Sequence, residues 1–116
     1  MHILLVDDDV GCLSAMRTAL TVMGHTCDEF SDPEQALRSS LSRLNEYGAV
    51  VTDLKMPEID GLRLAEILLE AVPELKVVIV SGQAKADRLL VSKQSGVSAV
   101  LAKPINIVEL AAALKQ

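Results

Sequence analysis

The stretch "LLVDDDVG", Leu4 to Gly11, decides how the chain is to be read. An aliphatic run suited to a buried strand stops abruptly at three consecutive aspartates. Two carboxylates about 5 Å apart repel by roughly 3 kcal/mol at an effective dielectric near 20. Either the triplet is simply solvated, or a positive partner belongs at that strand end. The rest of the sequence bears on the choice, because the same design recurs further along. Ile3–Val6, Ala49–Thr52, Val77–Val80 and Ala99–Ala102 are short, nearly continuous apolar runs bounded by polar or turn residues. That pattern suits strands covered on both faces, as in a parallel sheet. Thr26–Phe30 is poorer in apolar residues and carries Asp28 and Glu29, which suits an edge strand.

Between these runs lie helical patterns. Leu13, Met16, Leu20 and Met23 recur at helical spacing, and Gly24 supplies a stop. Ser31-Asp32-Pro33-Glu34 offers an N-cap followed by proline in the first turn, leading into Leu37, Leu41 and Leu44. Leu64, Ile67, Leu68 and Ala71 form another face, closed by Pro73. Pro104 opens a last helix with Ile107, Leu110 and Leu114. Ala84–Gln94 is the least amphipathic segment and is expected to be a marginal, mobile helix. The order is βαβαβαβαβα, which implies right-handed crossovers and an α/β doubly wound sheet covered by helices on both sides. In such sheets ligands sit outside the C-terminal ends of the central strands.

Composition sets limits. The 116 residues suit one domain, 1–116, and half of them are hydrophobic, enough for a single aliphatic core with only 2% aromatics. The formal charge of −5 argues against direct nucleic-acid binding by this domain. No apolar run approaches 20 residues, so no membrane span is expected. The first residues lack a basic, cleavable leader pattern, and the chain is read as cytoplasmic. Cys12 and Cys27 are too few for a disulfide framework. With only His2 and His25, zinc is not expected.

The strand ends hold the chemistry. They are Asp7-Asp8-Asp9, Asp53 in "VVTDLKMPEIDG", Ser81-Gly82 in "VVIVSG", and Lys103-Pro104 in "LAKP". Clustered carboxylates without histidine or cysteine form a hard-oxygen site suited to Mg²⁺ or Mn²⁺. A buried carboxylate can serve as a nucleophile toward phosphorus, giving an aspartyl-phosphate. That transfer needs in-line positioning and cations around the phosphoryl oxygens. Lys103 and a divalent metal supply the charge, and the Ser81 hydroxyl supplies a donor.

These four motifs, in this order, resemble the receiver domain of bacterial two-component response regulators, from Ile3 to about Leu114. The resemblance implies a flavodoxin-like (βα)5 fold with a five-stranded parallel sheet in the order 2-1-3-4-5, which receivers share with flavodoxins. It implies Asp53 as phosphoacceptor. It implies Mg²⁺ held by Asp8 directly, with Asp7 acting through water or as the partner of Asp8, by Asp53, and by the backbone carbonyl of Lys55. Ser81 matches the family's switch hydroxyl and Lys103 its lysine, followed by a cis bond to Pro104. The implied partner is a histidine kinase or histidine phosphotransfer protein. Output would pass through the Ala84–Gln94 helix, the fifth strand and the last helix, to a partner or an attached domain, with a homodimer on phosphorylation as one further option. Asp9 is expected in the first helical turn, where the helix dipole favours it. Asp60-Gly61 is read as turn and helix-start chemistry, with Met56 and Pro57 shaping the loop and Lys55 and Gln83 flanking the crevice. Val100 stands where many receivers carry an aromatic switch residue. Two other classes are weighed. A Mg²⁺-dependent phosphohydrolase would use similar groups, but 116 residues leave little room for a substrate cap. A module signalling without phosphorylation would be expected to have a degenerate site, and this one is not.

Overall fold

The computed structural model describes residues 1–91 and 96–115. Five parallel strands, β1 (His2–Val6), β2 (Thr26–Phe30), β3 (Ala49–Asp53), β4 (Lys76–Ser81) and β5 (Val97–Ala102), form one sheet in the order β2-β1-β3-β4-β5. The strand order and the edge position of β2 match the expectation. Among the described residues, five α-helices connect and follow the strands: α1 (Val10–Val22), α2 (Pro33–Ser40), α3 (Gly61–Ala71), α4 (Ala84–Val91) and α5 (Ile107–Lys115). The expected helix over Ala84–Gln94 is thus described as far as Val91, and its last residues lie outside the described part.

Alternation along the strands divides the core into two layers. Leu4, Val6, Val50, Val77 and Ile79 face α2 and α3. Ile3, Leu5, Val51, Val78 and Val80 face α1 and α5. All ten are fully buried, and each contributes about 2 kcal/mol by leaving water. Both faces of β1, β3 and β4 are therefore dry, which is why those strands read as unbroken aliphatic runs.

Helix boundaries follow local chemistry. Asp9 is the N-cap of α1, one residue ahead of its first turn, and its Oδ1 accepts from the Gly11 and Cys12 amides at 2.9 and 3.2 Å. The Cys12 and Gly11 amide bonds lower the pKa of Asp9. At the other end, Gly24 has φ +90°, its N–H donates to the Thr21 carbonyl, and the His25 N–H reaches the Leu20 carbonyl. This is the paired closure that a left-handed residue permits. Asp32 caps α2 through the Glu34 amide, with Pro33 following.

Three helices depart from expectation. The run through Leu37, Leu41 and Leu44 is not one helix. After Ser40 the chain tightens into a 3₁₀ segment, Leu41–Glu46, with Arg43 at a non-helical φ of −141°. The Arg43 guanidinium donates to Asp28 Oδ2 at 2.9 Å and to the Tyr47 hydroxyl oxygen at 3.1 Å. The tighter winding buries Leu44 and leaves Leu41 exposed. In α3 the inward face is Leu64, Ala65, Leu68 and Leu69, so Ile67 is half-buried and Ala71 exposed. Pro104 does not open α5. Asn106 caps it, its Oδ1 accepting from the Val108 and Glu109 amides, and Ile107 points outward.

Candidate functional site

Parallel register brings the chemistry-bearing residues together. Val6 pairs with Thr52, so Asp7 and Asp53 leave neighbouring strands side by side. Asp53 pairs with Val80, and Ser81 with Ala102, which places Lys103 one residue beyond. Neighbouring strands lie about 4.8 Å apart, so side chains one residue past these ends meet across a short gap.

Carboxylate oxygens of Asp7, Asp8 and Asp53 lie within 4.8 Å of one another. Asp7 is fully buried, Asp53 is 7% exposed, and Asp8 is exposed. Lys103 Nζ lies 3.1 Å from Asp7 Oδ2 and 3.2 Å from Asp53 Oδ1, tying the two buried acids together. The other oxygen of Asp7, Oδ1, accepts from the Asp9 amide at 2.9 Å, which fixes the carboxylate's orientation. Burial pushes the Asp53 pKa up, and the Asp7 charge adds to it, while Lys103 pulls the other way. Burial alone would lower the Lys103 pKa, but its contacts with Asp7 and Asp53 outweigh that and hold it above its ordinary value. Asp53, Lys55, Ser81, Gly82, Gln83 and Lys103 line a cleft of about 260 Å³ beside these acids. Lys103 and Pro104 are joined by a cis bond, as the resemblance implies.

The donor set fits a small hard cation. It consists of three carboxylates against one ammonium, a formal surplus of two negative charges. Asp7 Oδ2 is buried with no directed hydrogen bond, although the Lys103 ammonium is near. Oxygens on one octahedral Mg²⁺ sit about 3 to 4 Å apart, and one oxygen from each of the three acids lies within 4.8 Å of the others. Lys55 lines the cleft with its side chain exposed.

Asp60 and Gly61 act through the backbone. Asp60 caps α3, its Oδ1 accepting from the Arg63 amide at 2.8 Å. The Gly61 N–H donates to the Leu54 carbonyl at 2.7 Å. A Cβ on Gly61 would meet the Asp53 carbonyl oxygen at 2.1 Å, so only glycine lets α3 start against the backbone of the strand end. Met56 is buried in the α2–α3 layer, and Glu58, next to Pro57, takes a left-handed φ of +68°. Val100 is half-buried against the same layer.

Sequence reasoning missed one group. Asp87, in the first turn of α4, is 8% exposed and accepts a hydrogen bond from the Ser81 hydroxyl. Nothing in a weakly amphipathic segment marked that aspartate as inward-facing.

Comparison with known proteins agrees with this geometry. The family model for the response regulator receiver domain matches residues 3–115. The chain is 31% identical over 115 residues to the transcriptional regulatory protein QseB of Haemophilus influenzae, covering 99% of this chain and 51% of QseB. The chain thus spans about half the length of that relative. A sensor protein from Polaromonas sp. JS666 superposes with a TM-score of 0.89 at 30% identity, covering 98% of this chain and 92% of that one. A receiver domain protein from Clostridium thermocellum gives the same TM-score at 25% identity, covering 98% and 90%.

Proposed function

The chain belongs to the response regulator receiver family, and from that membership we propose that it accepts a phosphoryl group on Asp53 in a Mg²⁺-dependent reaction. The observation that carries the reading is the bridging ammonium: Lys103 spans Asp7 and Asp53, and Lys103 and Asp53 both line the cleft. An isolated ion pair needs one carboxylate. A lysine between two, with a third beside them, suits a site that gains both a cation and an anionic group.

The donor is a phosphohistidine on a histidine kinase or histidine phosphotransfer protein. An Asp53 carboxylate oxygen forms the new P–O bond as the P–N bond to imidazole breaks, and the imidazole leaves with the electron pair and takes up a proton from solvent. The Lys103 ammonium favours the ionised form of Asp53, the form that attacks, against the burial and the Asp7 charge that oppose it. Asp7, Asp8, Asp53 and the Lys55 carbonyl would hold Mg²⁺, or Mn²⁺. The ion, when bound, neutralises charge that builds on the phosphoryl oxygens. Lys103 follows the charge from carboxylate to phosphoryl oxygen, and Ser81 donates its hydroxyl to another. The resulting shift of the loops after β4 and β5 biases a two-state equilibrium read on the face of α4, β5 and α5 by a partner, an attached domain or a second copy. Such a role is a cytoplasmic one, performed as the N-terminal part of a longer regulator or alone. Among the described residues no helix is long and apolar enough to cross a membrane.

Acetyl phosphate with Mg²⁺ should add the mass of one phosphoryl group to the wild type. Asp53→Asn, or wild type with chelator, should stay unmodified. Stoichiometric phosphorylation of Asp53→Asn would overturn the assignment. Turnover of a phosphomonoester would favour a hydrolase instead.

A further inference from the structure

The Ser81 hydroxyl is already committed. It ends β4, is 2% exposed, and donates its proton to Asp87 Oδ2. Its oxygen meanwhile accepts from the Gln83 amide at 3.0 Å. A hydroxyl has one proton to give. It can serve Asp87 or an oxygen of a phosphoryl group on Asp53, but not both.

We propose that Asp87 is a positioning residue that latches the Ser81 hydroxyl in the unphosphorylated protein, and that capture of the phosphoryl group requires this latch to open. The inference rests on the phosphoacceptor reading of Asp53. Both acceptors are anionic, so both hydrogen bonds are of the stronger, charge-assisted kind. The exchange is then close to balanced, and a small change in either acceptor shifts it. Opening has a consequence for α4. Among the described residues the Ser81 hydroxyl is the donor that reaches Asp87. A carboxylate 8% exposed that loses its donor must find another or move toward water. The first turn of α4 is tied to the same point, because the Asp87 amide donates to the Gln83 carbonyl at 3.0 Å while the Gln83 amide holds Ser81 Oγ. Movement of Ser81 toward Asp53 therefore pulls on both ends of that turn. The latch couples the site to α4 without an aromatic side chain at Val100.

The test is titration of the Mg²⁺-loaded protein with beryllofluoride, a phosphoryl mimic, by calorimetry. Asp87→Asn keeps an acceptor of the same shape and removes its charge. It should bind beryllofluoride about fivefold tighter than wild type, the difference between a charged and a neutral acceptor. In a Ser81→Ala background the same substitution should change affinity less than about twofold. No tightening in Asp87→Asn overturns the latch and leaves the phosphoacceptor reading standing. Equal tightening in both backgrounds also overturns it, because the effect is then the general removal of a nearby negative charge. Failure of wild type to bind the mimic overturns the phosphoacceptor reading and the latch with it. A second measurement needs no variant: the Gln83 and Asp87 amide NMR signals should shift on loading wild type, and unmoved signals overturn the proposal.

Discussion

Lys103→Met removes the ammonium that bridges the two buried acids. Its Nζ lies 3.1 Å from Asp7 and 3.2 Å from Asp53. At an effective dielectric near 20, each contact is worth roughly 5 kcal/mol of attraction. The carboxylates, within 4.8 Å, repel by roughly 3.5 kcal/mol at the same dielectric. Removing the lysine also removes its own desolvation penalty, so the net loss is far smaller than the attraction. Breaking a buried pair typically costs about 3–5 kcal/mol. The Lys103 side chain is 21% exposed, which puts the loss at the lower end, about 3 kcal/mol. For a chain of this size that is a fall in Tm of about 12 °C. The assay is calorimetric melting of both proteins in chelator and then in excess Mg²⁺. The variant should recover more than wild type does, because the cation takes over charge that Lys103 had been neutralising. A fall below about 4 °C in chelator, or equal gains from Mg²⁺, would refute the reasoning.

Asp8→Ala should retain the fold, since Asp8 is exposed, but lose most of the Mg²⁺-induced rise in Tm, as read by the same melting experiment. Gly61→Ala should destabilise by about 3 kcal/mol, because its Cβ meets backbone at 2.1 Å and the bond to the Leu54 carbonyl must break. Gly82→Ala, with nothing within 4 Å, should stay within about 0.5 kcal/mol of wild type by urea unfolding. Tyr47→Phe removes a 2.6 Å hydrogen bond to Asp28 and should cost about 1.5 kcal/mol at neutral pH. That bond is the main cause holding the Asp28 pKa below its ordinary 3.8, so its stabilisation is present above that value and lost as pH falls through the folded-state pKa. Urea titrations at about pH 7 and pH 3 should show the deficit of the variant narrowing in acid.

The central strands were legible because dryness on both faces leaves no room for polar alternation. Their ends were legible because an acid, a hydroxyl-glycine pair and a lysine-proline pair interrupt aliphatic runs abruptly. Strand order came from the resemblance, since β1, β3 and β4 are too alike in composition to be ordered by it. Helix interiors were harder. Leu41 fits a helical stripe, yet Arg43 leaves helical geometry to reach Asp28, a partner 15 residues back that no local pattern reveals. Ile107 likewise fits a stripe, but the Asn106 cap sets the phase of α5 and turns it outward. In the site, Asp7, Asp8, Asp53, Ser81 and Lys103 were all found in sequence and lie at one end of the sheet. Asp87 was not, because its inward direction depends on how α4 packs against β4 and β5.

The most direct test is the location of the phosphoryl group itself. Wild type treated with acetyl phosphate and Mg²⁺ is trapped by borohydride, which reduces an aspartyl-phosphate to homoserine, and is then mapped by peptide mass spectrometry. Homoserine at position 53 alone is the expected result. Homoserine at Asp7 or Asp8, or none anywhere, would contradict Asp53 as the phosphoacceptor.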